Sequence, residues 1–125
     1  MQTHQRAIIF LQYVKSKEHL PITSPVLKRI EQLQGPTDVV FTLDNFSDQI
    51  TTHYAKKLMD QSQEILLIAE MEESVDLGAL AAILNHAVRK KWVKLLVKGG
   101  CSALENYMKL LHGNSFQTAE ELKII

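Results

Sequence analysis

Carboxylates gather in one short stretch of this chain, where Glu70, Glu72, Glu73 and Asp76 follow an apolar run. With Asp44 and Asp48 brought near by folding, their oxygens could hold a hard divalent cation or supply an acid and base pair. A solvated acidic turn whose last member caps a helix satisfies the same pattern. That second reading is adopted here, so neither a metal ligand nor a catalytic residue is assigned. Cys101 follows Lys98-Gly99-Gly100 just before an expected helix, a setting that lowers a thiol pKa and favours an anion. No neighbouring histidine offers itself as a base, and a lone cysteine reads more simply as a small packed hydrophobe. The two glycines match neither GxGxxG nor GxxxxGK[ST]. The five histidines, His4, His19, His53, His86 and His112, show no HxxxH or HExxH spacing. Candidate ligand contacts are therefore Asp44, Glu70, Lys98, Gly99, Gly100 and Cys101, with no cofactor expected.

Composition narrows the partners. Lys+Arg and Asp+Glu both number 14, giving no net field toward nucleic acid or an anionic membrane. The basic run Arg89-Lys90-Lys91 before Trp92 reads as a solvated helix end, and the tryptophan as an anchor for the following strand. The apolar run at residues 7–11 is far shorter than the roughly 20 residues a bilayer span needs. With no signal-type segment either, a soluble cytoplasmic protein is the expectation. One cysteine builds no internal disulfide framework. At 125 residues and 46% hydrophobic, the chain has material for one core, so a single domain over residues 1–125 is expected.

The elements that would position these residues follow from periodicity. Residues 7–14 (AIIFLQYV) suit a buried strand, although Ile8, Leu11 and Val14 also fit a helix face. Ser24-Pro25 opens a helix with the stripe Val26, Leu27, Ile30 and Leu33, and Gly35-Pro36 ends it through a left-handed glycine cap. Residues 38–43 form a second strand. Ile50, Tyr54, Leu58 and Met59 mark the buried stripe of a second helix ending at Asp60, with Lys56 and Lys57 outward. Residues 65–69 make the third strand. Asp76 is expected to cap a helix burying Leu77, Leu80, Ala81, Leu84 and Val88. Residues 93–97 give a fourth strand, Ser102 to Glu105 a capping box for a helix burying Leu104, Tyr107, Met108 and Leu111, and His112-Gly113 its end. Residues 115–117 read as an edge strand, and Thr118 to Glu121 as a second capping box before a last short helix. Strict alternation of strand and helix predicts one α/β domain. Its sheet is mainly parallel, of four to five strands, with helices on both faces, in a STAS-like or flavodoxin-like arrangement. Its carboxyl edge should carry the loops and the site.

From about residue 38 onward the chain resembles the STAS domain of anti-sigma-factor antagonists, through VVFTL, ITTHYAKKLMDQ, ILLIAEMEESVDLGALAAILNHAVRKKWVKLLVKG, SALENYMKLLHG and SFQTAEEL. That resemblance implies a regulatory protein-binding domain whose DSSG-like motif falls at Val75-Asp76-Leu77-Gly78. The glycine matches, the two motif serines do not, and Asp76 holds one of their places. A phosphorylation switch would then be lost or moved to Ser74. The run from Asp60 to Val97 also resembles TIR domains and nucleoside deoxyribosyltransferases, which carry a catalytic glutamate on the helix after strand three. Residues 77–88 contain no glutamate, which counts against glycosyl transfer.

The expected function is accordingly a non-enzymatic regulatory or interaction domain. It would bind a protein partner through Glu72, Glu73, Ser74, Asp76 and Gly78 and the following helix, within residues 70–82. The alternative is a small α/β enzyme or a nucleotide- or metabolite-binding domain acting at the carboxyl ends of the strands. Self-association through an edge strand or helix face is a further expectation.

Overall fold

The structure is a computed structural model that describes residues 5–13, 24–71, 77–98 and 104–122. The first strand, β1 (Arg6–Tyr13), contains the five consecutive residues Ala7, Ile8, Ile9, Phe10 and Leu11, every one of them buried. Both faces of a strand are buried only when helices cover the sheet on two sides. Each of these large side chains contributes roughly 1.5–3 kcal/mol of burial.

Around β1 stand β2 (Asp38–Asp44), β3 (Glu64–Met71), β4 (Val93–Lys98) and β5 (Asn114–Phe116), in the spatial order β2-β1-β3-β4-β5 with every pair parallel. This is one of the two common doubly wound orders. Four helices connect them: α1 (Pro25–Leu33), α2 (Gln49–Gln61), α3 (Leu80–Ala87) and α4 (Glu105–Leu110), with a 3₁₀ turn at Ala119–Glu121. Strand parity sorts the core into two layers. Ala7, Ile9, Leu11, Ile65, Leu67 and Leu95 pack with the buried residues of α2 and α3 and with Leu104 and Leu111. Ile8, Phe10, Leu66 and Ile68 pack with Val26 and Ile30 of α1 and with Leu122. The chain is thus an α/β domain with a five-stranded parallel sheet covered on both faces.

Several local expectations are corrected. Gly35 does not end α1 through a left-handed conformation: the cap is extended Gln34, and the Gly35 N–H donates to Asp38 Oδ2 at 2.6 Å. That carboxylate also takes Arg6 Nε at 2.9 Å and Nη2 at 2.6 Å, tying β1, β2 and the end of α1 at the amino edge. On α2 the buried residues are Ala55 and Met59, while Ile50 is 67% and Tyr54 58% exposed. The helix is rotated from the expected stripe because its small Ala55 allows closer approach to the sheet. Helix α3 starts at Leu80 with Ala79 as cap, and α4 at Glu105 with Leu104 as cap, while the expected caps Asp76 and Ser102 lie outside the described residues. His112, with φ of 50°, takes the left-handed conformation where the chain leaves α4, at the expected His112-Gly113 end. Glu121 Oε2 accepts the Gln117 N–H at 2.9 Å, while the cap hydroxyl of Thr118 makes no capping bond. Trp92 is 73% exposed and anchors β4 only through its carbonyl, which accepts the Ile65 N–H at 2.8 Å.

Candidate functional site

At the carboxyl edge the ladders place Asp44, Gln12, Glu70 and Lys98 in one row, neighbour beside neighbour across β2, β1, β3 and β4. Side-chain alternation puts all four on the face covered by α1. The preceding positions of β1 and β3 on that face, Phe10 and Ile68, are buried and apolar, so the row marks where the strands emerge from the core. Glu70 is its hub. Gln12 Nε2 donates to Glu70 Oε1 at 3.3 Å, Ser24 Oγ to the same oxygen at 3.4 Å, and Lys98 Nζ to Oε2 at 3.4 Å. The Gln12–Glu70 link spans β1 and β3, where the winding of the sheet reverses and ligands of such folds bind.

Ser24 serves two purposes. Its Oγ also accepts the N–H groups of Val26 and Leu27, while its carbonyl takes that of Lys28. Pro25 has no N–H, so the first turn of α1 retains no donor for an anion. Beside Ser24 a pocket of about 210 Å³ opens between α1 and strands β1 and β2, lined by Phe10, Gln12, Ser24, Leu27, Thr42, Leu43, Asp44 and Ser47. Asp44 shapes the β2 exit: its Oδ1 accepts the Phe46 N–H at 2.7 Å, and its own N–H donates to Ser47 Oγ at 3.0 Å.

On the opposite face, an open groove of about 560 Å³ runs between the starts of α2 and α3, lined by Ser47, Asp48, Gln49, Thr52, His53, Lys56, Ala79 and Ala82. Two contacts fix its upper end. The Asn45 carbonyl accepts the Ala79 N–H at 3.4 Å, and Gly78 adopts φ of +56°, its backbone so close that an added Cβ would stand 2.9 Å from the Asn45 oxygen. Glycine is the residue that meets both conditions. Asp48 caps α2, and the Thr51 backbone N–H, followed by the Thr51 side chain, holds its carboxyl below the ordinary 3.8. At the far end of the same helix pair, Asp60 joins His86 Nε2 at 2.8 Å and Lys90. Hydrogen bonds from Lys90 and then His86 lower its pKa from 3.8.

Of the sequence-nominated residues, Asp44, Glu70 and Lys98 come together in the row, and Gly78 lies at the end of the α2–α3 groove. Glu72, Glu73, Ser74, Asp76, Gly99, Gly100 and Cys101 lie outside the described residues. The sequence reading missed Gln12, Ser24 as more than a cap, Thr42, Ser47 and Asn45. A signal for Gln12 existed, since it breaks the apolar phase of Ile8 and Phe10 on its strand. Among the described residues no cluster of three or more His, Cys, Asp or Glu side chains is arranged to hold a metal, and no helix is long and apolar enough to cross a membrane.

Comparison with known families, with curated proteins and with solved structures finds no match to this chain.

Proposed function

We propose that this protein is a regulatory recognition domain rather than a catalyst, and that it binds a protein partner along the α2–α3 groove. The observation that carries the reading is the groove itself: an open trough of about 560 Å³ with small Ala79 and Ala82 in its wall and polar Asp48, His53 and Lys56 beside them. Small side chains let a partner backbone or an apolar side chain approach closely, while the polar rim gives orientation. Exposed Phe46 and Ile50, 39% and 67% accessible, adjoin it at the start of α2 and add apolar area of the kind that marks interaction surfaces. The acidic residues Glu72, Glu73 and Asp76, with Ser74, lie between Met71 and Leu77 in the sequence and enter the proposal by their charge, which favours a partner with basic groups.

Support against catalysis comes from the row at the sheet edge, where Glu70 is engaged by Gln12, Ser24 and Lys98. The test is affinity capture with wild-type protein and with Ala82→Arg, which fills the groove, and Lys56→Glu, which reverses a rim charge. A partner held by wild type and lost by both variants supports the proposal. An identical set of captured proteins from all three contradicts it.

A further inference from the structure

We infer that the pocket between α1, β1 and β2 is a binding site for a small neutral polyol of about monosaccharide size. Its volume of about 210 Å³ lies below the roughly 300–1,000 Å³ of drug-sized ligand sites, which restricts it to a smaller molecule. The chemistry of the lining selects the ligand. Among the described residues that line it there is no lysine or arginine, the Asp44 carboxylate borders it, and the first-turn N–H groups of α1 are already taken by Ser24. A phosphate or carboxylate would therefore meet negative charge and no available helix donor. What the pocket offers is acceptor-rich and uncharged apart from Asp44. Gln12 commits an amide N–H to Glu70, and among the described residues its oxygen accepts no hydrogen bond. Among the described residues Asp44 engages Oδ1, which accepts the Phe46 N–H. The hydroxyls of Thr42 and Ser47 complete the set, since Ser47 Oγ accepts from the Asp44 N–H and keeps its own proton to donate. A ligand rich in hydroxyls supplies donors to Gln12 and Asp44 and accepts from Thr42 and Ser47. Phe10 and Leu27 give its C–H face an apolar wall.

Ser47 borders both this pocket and the α2–α3 groove, so the discriminating positions are Thr42 and Asp44, which line the pocket and not the groove. The test uses the full chain, with saturation-transfer NMR and titration calorimetry against xylitol and D-glucose, and with inorganic phosphate and ethanolamine as the anionic and cationic comparisons. The expected result is saturable polyol binding in about the millimolar range, as a small ligand in an open polar pocket gives. Asp44→Asn retains an oxygen for the Phe46 N–H, and Thr42→Val keeps the shape of an exposed position; each should weaken the polyol at least about fivefold with an unchanged unfolding curve. Should Asp44→Asn not fold, Thr42→Val decides alone. Absence of polyol binding, polyol affinity unaltered by these changes, or preference for phosphate or ethanolamine overturns the inference.

Discussion

Single residues fix the two loops that shape the carboxyl edge. Gly78 holds a left-handed backbone against the Asn45 carbonyl, and no other residue type fits there without strain. Replacing it by alanine should cost about 1–3 kcal/mol in chemical denaturation, from left-handed strain plus displacement of the Asn45 loop. An unchanged unfolding midpoint would mean that the two loops are not docked. Asp60 sets a pH response at the other end of α2 and α3. Its folded pKa lies below the ordinary 3.8 because of Lys90 and His86, so the stabilisation it brings is present above that value and is lost as pH falls through the lowered one. The pair is half exposed, so its worth is that of a surface ion pair, about 0.2–1 kcal/mol. In acid titrations followed by thermal melting, Asp60→Asn should lower stability slightly at neutral pH and converge with wild type as pH falls through the lowered pKa. A difference that grows toward acid would contradict this assignment.

At the scale of elements, α2 shows what periodicity can and cannot decide. Met59 is 1% exposed and Ile50 67%, so Met59→Ala should cost about 2–5 kcal/mol by denaturation, whereas Ile50→Ser and Tyr54→Ser should stay within about 0.5 kcal/mol. Comparable losses at all three positions would restore the stripe that spacing alone suggests. The existence of this helix was legible because Asp48 caps it and apolar residues recur through it. Its rotation was not, since Ala55 contributes little hydrophobic signal yet determines which side fits closest to the sheet. The same limit governs Trp92, whose type suggested an anchor and whose place in a turn leaves it in solvent. The strands were easier, because a strand buried on both faces has no phase to misread. Within the candidate sites, Asp44, Glu70 and Lys98 stood out by their position at strand ends. Ser24, Thr42 and Ser47 did not, because small hydroxyl residues acquire meaning only when register sets them around one cavity.

Across the described residues, the parallel order β2-β1-β3-β4-β5 gathers the ends of four strands into one row, beside which two openings meet at Ser47. One is small, polar and bounded by α1. The other is wider and bounded by two helices whose relative placement is held by Asn45 and Gly78 at one end and by Asp60 with His86 and Lys90 at the other. A surface braced at both ends suits recognition, because little ordering is needed on binding. The measurement that bears on this most directly is the affinity of a captured and purified partner for wild-type protein and for Ala82→Arg, read by titration calorimetry with the unfolding curve of each as a control. Loss of at least about a hundredfold in affinity with folding intact is the predicted result, the size expected when a central, tightly packed contact is blocked. Equal affinity for both proteins would place the interface elsewhere and contradict the account.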